Sequence, residues 1–417
     1  MAPLPAPRSA IPRAPGAARA DIEAQRVEFT GSGAEYFRVW IVNVLLSIVT
    51  LGIYTPWARR RTAQYFYSHT HVAGSPLEFV AEQKRMVLGF LAFAALYMAY
   101  QIATRTGQDI AAALLFFGFA ALAPFLWASA MRFRLGATRW RGIRMAFTAS
   151  WKEVYLASWP VFAMAAIWTA VLVVGGALSP SPALEAAGEA APAQLPEFGP
   201  ILIGLGVLGL VLTLLCAIRL EYNYRRLLVA RARIGGQVGH WKPVYFDFVK
   251  VWLATVLFFI LTLVVLALVF GTVAVTASYM VKEWIGNNVF LAILLVVVGV
   301  VAAFILMLLT SLPARAYREA RMFQLVWNNI GLTRIARSKT SLKTSAFVWL
   351  KVKNVVLSVL TLGFYRPFAI ASEYAAKVGS VTLYIKGGTD QLVGELVKQQ
   401  GAFGDAAADA FGLDLIG

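Results

Sequence analysis

Long apolar runs alternate with short polar connectors along most of the chain. Six of these runs come close to the ~20 residues that a helix needs to cross a bilayer. They lie at 86–104, 110–131, 154–178, 198–220, 251–278 and 288–313. The connectors within successive pairs are acidic or carry few charges, and the connectors between pairs carry most of the cations. The pattern therefore predicts six transmembrane helices in three hairpins.

Two further apolar elements, 36–57 and 345–366, flank these six runs, and each is interrupted by Leu-Gly and then Pro. The segment 43–58 reads NVLLSIVTLGIYTPWA and the segment 354–369 reads NVVLSVLTLGFYRPFA, without a gap between them. They share N-x-x-L-S-x-x-T-L-G-x-Y-x-P. Polar, Gly and Pro positions are included, so the likeness exceeds what two apolar segments share by chance, and it indicates an internal duplication.

The cations predict how these elements are oriented, because Lys and Arg accumulate in cytoplasmic loops. The basic connectors are therefore assigned to the cytoplasm. If the two outer elements were full spans, the segment with Arg366, Lys377 and Lys386 would lie outside. We interpret both elements as short re-entrant hairpins, which are tolerated where protein buries their backbone. Both termini are then cytoplasmic, and eight full spans are the alternative.

A second theme recurs in the basic connectors, where a glycine is followed by a short alternating run. It is found within 65–79, 131–147, 222–248, 327–335 and 374–385. Strict alternation is typical of a strand, and a lone strand leaves its amides unpaired. We therefore expect these strands to form a small cytoplasmic β layer. The predicted fold class is an all-α polytopic membrane protein with that layer added.

The same pattern divides the chain into segments. A disordered tail is expected at 1–26 and an acidic tail at 387–417. Between them, the membrane domain contains about five units, each a helical hairpin plus a strand. Their predicted ranges are 27–80, 81–148, 149–246, 247–335 and 336–386.

Composition agrees with a bilayer location, since 59% of the 417 residues are hydrophobic and only 14% are charged. The net charge of +17 could indicate nucleic acid, but the cations are placed as topology requires, so we predict no nucleic-acid partner. Basic loops could also bind anionic lipids. The single cysteine, Cys216, excludes an intrachain disulfide.

Candidate chemistry is sparse. The three histidines, His69, His71 and His240, are too scattered to predict a metal site, and no H-E-x-x-H motif is present. Gly204, Gly206 and Gly209 match G-x-G-x-x-G but lie inside an apolar run, which is typical of close helix packing. We therefore predict no enzyme activity, no metal and no cofactor.

Polar side chains at membrane depth are the better candidates, because each costs free energy unless it has a partner. Helical spacing places six of them on two equivalent stripes, Asn43, Ser47 and Thr50 in the first copy and Asn354, Ser358 and Thr361 in the second. One hypothesis is that they join helices, and the other is that they line a shared ligand cavity. The remaining motif residues are predicted to be structural: Gly52, Tyr54, Pro56, Gly363, Tyr365 and Pro367.

The run from Glu35 to Gly74 resembles a bacterial inner-membrane family, the YjgN family or domain of unknown function 898. The likeness is carried by Phe29, Gly31, Gly33 and Glu35-Tyr-Phe, then W-I-V-N at 40–43, T-L-G-I-Y at 50–54 and Y-F-Y at 65–67. The resemblance implies a polytopic inner-membrane protein with no established activity. It also implies a possible partner, since members are often encoded beside a membrane zinc peptidase.

Two function hypotheses follow. The first is transport, or membrane-embedded binding, of a small or lipidic ligand at the interface of the terminal repeats, which the broken duplicated elements favour. The second is a non-catalytic accessory or scaffold subunit of a membrane complex, such as one with a membrane zinc peptidase. The lack of acidic residues within the apolar runs favours the second.

Overall fold

A computed structural model of the chain describes residues 22–178, 200–284, 289–332, 336–388, 392–394 and 396. The strands are β1 (Ile22–Phe29), β2 (Thr70–Val72), β3 (Ser75–Phe79), β4 (Thr138–Trp140), β5 (Ile143–Phe147), β6 (Ala232–Ile234), β7 (Gln237–Trp241), β8 (Ile330–Leu332), β9 (Ala336–Thr340) and β10 (Val381–Lys386). The helices are α1 (Gly33–Val49), α2 (Thr55–Ser68), α3 (Gln83–Arg105), α4 (Asp109–Gly136), α5 (Trp151–Ala157), α6 (Trp159–Leu178), α7 (Pro200–Arg231), α8 (Tyr245–Trp284), α9 (Val289–Asn328), α10 (Thr344–Leu360) and α11 (Arg366–Val378).

The strands form one closed barrel of ten antiparallel strands, in which each strand pairs with its neighbours in chain order. The ring is closed by β1, whose first half pairs with β10 and whose second half pairs with β2. Arg26 lies opposite Thr382, and Val27 lies opposite Val72. The two ends of the described chain therefore meet in adjacent strands.

This barrel corrects the predicted fold class. The chain is not an all-α protein with a small β layer, because the strands close on themselves into a complete barrel. The predicted runs were too few because several contain two strands separated by a tight turn. In two of these turns, Ala73-Gly74 and Arg141-Gly142, both residues have positive φ, which suits the right-handed twist of a two-residue hairpin. Closure then removes every exposed strand edge.

The antiparallel order gives the barrel two different rims. Odd-numbered strands run toward one rim, where each is followed by helices, and even-numbered strands return to the other rim. Helices α1 to α11, as far as the structure describes them, therefore all leave from the same end, which we call the helix rim. The tight turns lie at the opposite end, which we call the turn rim. The barrel thus carries five helical segments on one side only.

Capping boxes begin two of these segments at the helix rim. The backbone N–H of Glu35 donates to Ser32 Oγ at 3.2 Å, and the N–H of Ser32 donates back to the Glu35 carboxylate at 3.2 Å. Ser150 and Glu153 repeat the arrangement before α5. Both boxes satisfy amides that would otherwise lack partners, which fixes where the chain changes from strand to helix.

Among the described residues, five helices are long and apolar enough to cross a membrane. Their ranges are Gln83–Arg105, Asp109–Gly136, Trp159–Ala177, Pro200–Arg231 and Tyr245–Leu268. They correspond to the first five predicted spans. The third begins later than predicted, since the chain breaks at Ser158, just before Pro160. The sixth predicted span, 288–313, falls in α9, where many side chains lie outside the described set.

Candidate functional site

The two copies of the repeated motif have the same backbone geometry. In each, the first helix of a hairpin ends at a leucine with left-handed φ, 50° at both Leu51 and Leu362. The N–H of the following glycine then donates to the serine carbonyl five residues earlier, at 2.7 Å for both Gly52 and Gly363. This is a Schellman motif, in which the left-handed residue is usually glycine.

The threonines of the motif complete this turn. Thr50 Oγ1 donates to the Leu46 carbonyl at 2.7 Å and accepts from the Tyr54 N–H at 3.0 Å. Thr361 makes the same two bonds, at 2.7 and 2.9 Å. The turn therefore occupies both hydroxyls, although both threonines were predicted as ligand-binding candidates.

The other motif residues start the second helix of each hairpin. Pro56 and Pro367 occupy its first turn, where a missing N–H costs nothing. Tyr54 stacks on Trp57 with ring centroids 6.0 Å apart, and Tyr365 stacks on Phe368 at 5.6 Å.

The two asparagines hold the helices of their own hairpins together. Asn43 Nδ2 donates to the Ala58 carbonyl at 3.4 Å, and Asn354 Nδ2 donates to the Ala369 carbonyl at 3.3 Å. Asn354 also contacts Ser372 Oγ at 3.0 Å and the Glu373 carboxylate at 3.2 Å. When the gapless alignment of the two copies is extended, the first copy has Arg61 and Thr62 where the second has Ser372 and Glu373.

The second stripe belongs to a network of charges between three helices. Glu319 of α9 binds both Lys351 of α10 and Lys377 of α11, and Lys351 also lies 3.4 Å from Glu373. Burial alone would raise the pKa of Glu319, but the hydrogen bonds from the two lysines hold it below its ordinary value. Asn354, which is 1% exposed, extends this network, and Ser358 Oγ donates to the Asn354 carbonyl at 2.7 Å.

The first stripe instead faces a pocket. It has a volume of about 710 Å³ and lies between α1, α2 and α11, with one residue from α4. Its lining contains two of the predicted site residues, Asn43 and Ser47, and none from the second stripe. The structure therefore distinguishes the stripes: two residues of the first line a pocket, and no residue of the second does. The lining residues are Trp40, Asn43, Val44, Ser47, Ile48, Thr55, Ala58, Arg59, Thr62, Ala63, Phe66, Tyr67, Arg134, Ile370 and Tyr374.

Two arginines give this pocket its charge. Arg59 comes from α2 and Arg134 from the last turn of α4. Neither has an acidic partner in the described part of the chain, and both side chains are exposed. Two uncompensated cations thus flank a cavity of ligand size.

Three other arginines, Arg225, Arg231 and Arg318, are neutralised by carboxylates. Arg225 and Arg318 share Glu221, at 2.6 and 3.3 Å, and Arg231 pairs with Glu153. The backbone N–H of Ser150 is the main cause that lowers the pKa of Glu153, and Arg231 lowers it further. The contrast distinguishes Arg59 and Arg134 from these paired arginines.

Sequence reasoning did not single out these two arginines. Arg59 was interpreted only as one of the cations that mark the cytoplasmic side. Arg134 lies in another hairpin, and it comes close to Arg59 only because the barrel closes. One signal was available, because the position of Arg59 in the first copy is Ile370 in the second. Of the two neighbouring histidines, His69 caps the end of α2 and His71 lies in β2. No group of three metal-ligating side chains occurs within the described ranges.

The fold and pocket define a class of protein: a membrane protein whose apolar helical segments all leave one rim of a closed ten-stranded barrel. The chain belongs to the DUF898 family, described as a bacterial protein of unknown function, whose family model matches residues 24–410. The resemblance predicted from the sequence is therefore confirmed.

Three curated relatives share the name "Inner membrane protein YjgN". The one from Escherichia coli O157:H7 is 30% identical over 135 residues, covering 32% of this chain and 34% of the relative. The one from E. coli K12 is 30% identical over 132 residues, covering 32% and 33%. The one from Salmonella typhimurium LT2 is 26% identical over 148 residues, covering 35% and 38%. The chain thus spans about a third of the length of the curated relatives it matches. No solved structure matches the chain.

Proposed function

We propose that this protein is a non-catalytic, membrane-embedded binding protein for an anionic lipid, which it holds in the pocket of the first hairpin. The observation that carries the proposal is the pair Arg59 and Arg134, two arginines without acidic partners that line one pocket. Phosphate is the group that arginine binds best through paired N–H donors. The lipid is therefore bound by charge at its headgroup.

The proposal places the barrel and both termini in the cytoplasm. Cations occur where helices meet the barrel, including Arg134 at the end of α4 and Arg231 at the end of α7, and such residues mark the cytoplasmic face. The first and last hairpins then enter the bilayer from that face and return. Helix α1 has 17 residues, which at 1.5 Å per residue span about 25 Å, less than the ~30 Å core. The shared turn geometry supports an origin of both hairpins by duplication.

The pocket has a cation, Arg134, at its barrel end and an apolar side chain, Ile48, near the hairpin turn. Helix α2 runs from the hairpin turn toward the barrel, so Arg59 and Thr62 lie nearer the barrel than Thr55 does. Val44 and Ile48 line the wall on α1, and Ile48 lies next to the turn. A headgroup near Arg134 and a chain directed toward Ile48 would match both ends. Ser47 adds a hydroxyl without a hydrogen-bond partner in the described residues.

The test is lipid affinity in arginine variants. The protein in neutral detergent is titrated with phosphatidylglycerol, and binding is measured by native mass spectrometry. One arginine near a lipid headgroup contributes about 1 kcal/mol, or about fivefold in affinity. We expect Arg59→Gln to weaken binding about fivefold and the double variant with Arg134→Gln to weaken it about 25-fold.

The matched control is Arg61→Gln, because Arg61 is exposed on the same helix but does not line the pocket. This variant removes the same charge, but outside the pocket. It should therefore leave the lipid affinity unchanged within about twofold. Equal losses for Arg59→Gln and Arg61→Gln would show only general charge attraction and contradict the proposal. A stable protein partner recovered alongside that result would instead favour the accessory-subunit function, in which a membrane zinc peptidase is one candidate partner.

A further inference from the structure

Part of the barrel interior is an apolar cavity. Inward-facing side chains on neighbouring strands lie opposite one another, as Leu77 does to Trp140 and Met145 does to Ile234. Together with Leu332 and Leu383 they surround a cavity of about 410 Å³. Barrels with more than about eight strands are wide enough to enclose a ligand cavity. Ten strands leave such a volume here.

Among the described residues that line this cavity, the polar side-chain groups are already hydrogen-bonded or face outward. Trp140 Nε1 already donates to the Val72 carbonyl at 3.0 Å, and Ser338 Oγ donates to the Trp327 carbonyl. Arg337 lies opposite the outward-facing Tyr384, so register places its side chain on the outer face. A buried water requires two to four polar partners. The cavity therefore suits an apolar occupant, whose contacts would replace those that an empty volume lacks.

The two ends of the cavity differ. At the turn rim it is covered by Leu392 and Leu396, which are 6% and 0% exposed and pack with Trp140 and Ile385. Leu396 packs closely against the turn at Gly235. A Cβ at Gly235 would lie only 2.7 Å from the Leu396 carbonyl oxygen. The turn rim is thus closed by the segment that follows β10.

At the helix rim the wall continues into the helices. Leu135 of α4, Leu228 of α7 and Trp327 of α9 line the cavity at the points where these helices reach the barrel. Two of the three helices, α4 and α7, are apolar enough to cross a membrane. Apolar side chains therefore line the cavity up to the ends of two helices that are candidates to cross the membrane.

We propose that the barrel interior is a second binding site, which takes a single hydrocarbon chain. The volume lies in the range of small-molecule pockets, and the wall offers apolar contacts on every side. The chain comes either from a free fatty acid or from the acyl tail of a phospholipid. This site is separate from the arginine pocket, because no residue lines both.

The test is photolabelling of the full chain in phosphatidylcholine nanodiscs. Two probes separate the sources: a fatty acid with a diazirine near its methyl end, and a phosphatidylcholine with the same group on one acyl chain. We expect adducts on barrel residues such as Trp140, Leu332 or Leu383 with at least one probe. Labelling by the fatty acid alone assigns a free acid, and labelling by the phospholipid assigns an acyl tail.

Two alanine variants provide the matched control. Ala336 faces the cavity and Ala146 faces outward, opposite Arg233. Ala336→Trp should fill the cavity and reduce barrel adducts at least tenfold, while Ala146→Trp should leave them unchanged. If Ala336→Trp does not fold, Leu332→Phe removes less volume and should still reduce them severalfold. Adducts confined to helices with both probes, or equal labelling in the inward and outward variants, would overturn the proposal. Arg59→Gln should not alter barrel labelling.

Discussion

At the scale of single residues, equivalent positions of the two hairpins have different partners. Asn43 makes one long hydrogen bond, to Ala58, and faces the pocket. Asn354 makes three, and one of them reaches Glu373 in the ion network with Lys351. The first asparagine is therefore free to serve binding, and the second is part of the packing between α10 and α11.

This difference predicts different effects for the same substitution at the two positions. Asn354→Leu should lower the free energy of unfolding by about 2 kcal/mol, because it leaves buried polar groups without a donor. Asn43→Leu should cost less than about 1 kcal/mol, in line with ordinary interhelical hydrogen bonds in membranes, but should weaken phosphatidylglycerol binding. Thermal unfolding in detergent and the lipid titration measure the two effects. Equal destabilisation by both variants, with unchanged lipid binding, would contradict these assignments.

The site could be predicted in part from the residues. Asn43 and Ser47 were identified because polar groups at membrane depth need a reason, and both line the pocket. The hydroxyls of Thr50 and Thr361, the two threonine candidates, form hydrogen bonds within the turn of the motif. Arg59 and Arg134 were not singled out, because a membrane protein places cations near the cytoplasmic face whether or not they bind a ligand.

At the scale of elements, the turn of each terminal hairpin retains a strained residue. Leu51 and Leu362 have left-handed φ, which costs an L-residue with a side chain about 1–2 kcal/mol. They are also 94% and 90% exposed, so neither packs within the protein. In the first hairpin, the exposed Leu51 side chain lies beside the exposed Val49 and Ile53. Three exposed apolar side chains at one turn suit a turn immersed in lipid.

The strain predicts that Leu51→Gly stabilises the folded protein in detergent by about 1 kcal/mol, because glycine adopts this φ without steric conflict. The matched control is Leu45→Gly in the same helix. Leu45 is 55% exposed in regular helix, where glycine costs about 1 kcal/mol. Thermal unfolding should therefore shift in opposite directions for the two variants. A similar loss in both would mean that the leucine side chain, rather than the backbone, determines stability at the turn.

Elements were more predictable than their assembly. Five predicted spans correspond to candidate membrane helices, since about twenty apolar residues are a strong local signal. The strands were underestimated because three-residue strands such as β4 and β6 are too short to show alternation. Closure was out of reach of the sequence pattern, since β1 and β10 lie at opposite ends of the described chain.

At the scale of the whole molecule, both proposed sites depend on that closure. The pocket uses α1 and α2 from one end of the chain and α11 from the other. Tyr374 of α11 connects the two ends of the chain. Its hydroxyl lies 2.9 Å from Thr70 Oγ1, and its ring centroid lies 5.1 Å from that of Phe29. The barrel cavity likewise needs an unbroken wall. If β1 and β10 did not pair, neither site would exist as described.

The most direct measurement is therefore a disulfide across this seam in a Cys216→Ser background. Ala24 and Tyr384 lie opposite each other on the outer face, and both are exposed. Opposite residues in antiparallel strands have Cα atoms ~4.5–5.5 Å apart, within the range that a disulfide spans. Cysteines at these two positions should link under mild oxidation in native membranes. Cysteines at Ala24 and Thr382, which are out of register by two residues, should link far less, because such diagonal pairs lie ~7–8 Å apart. Failure of the in-register pair to link, or equal linking by both pairs, would contradict the closed barrel.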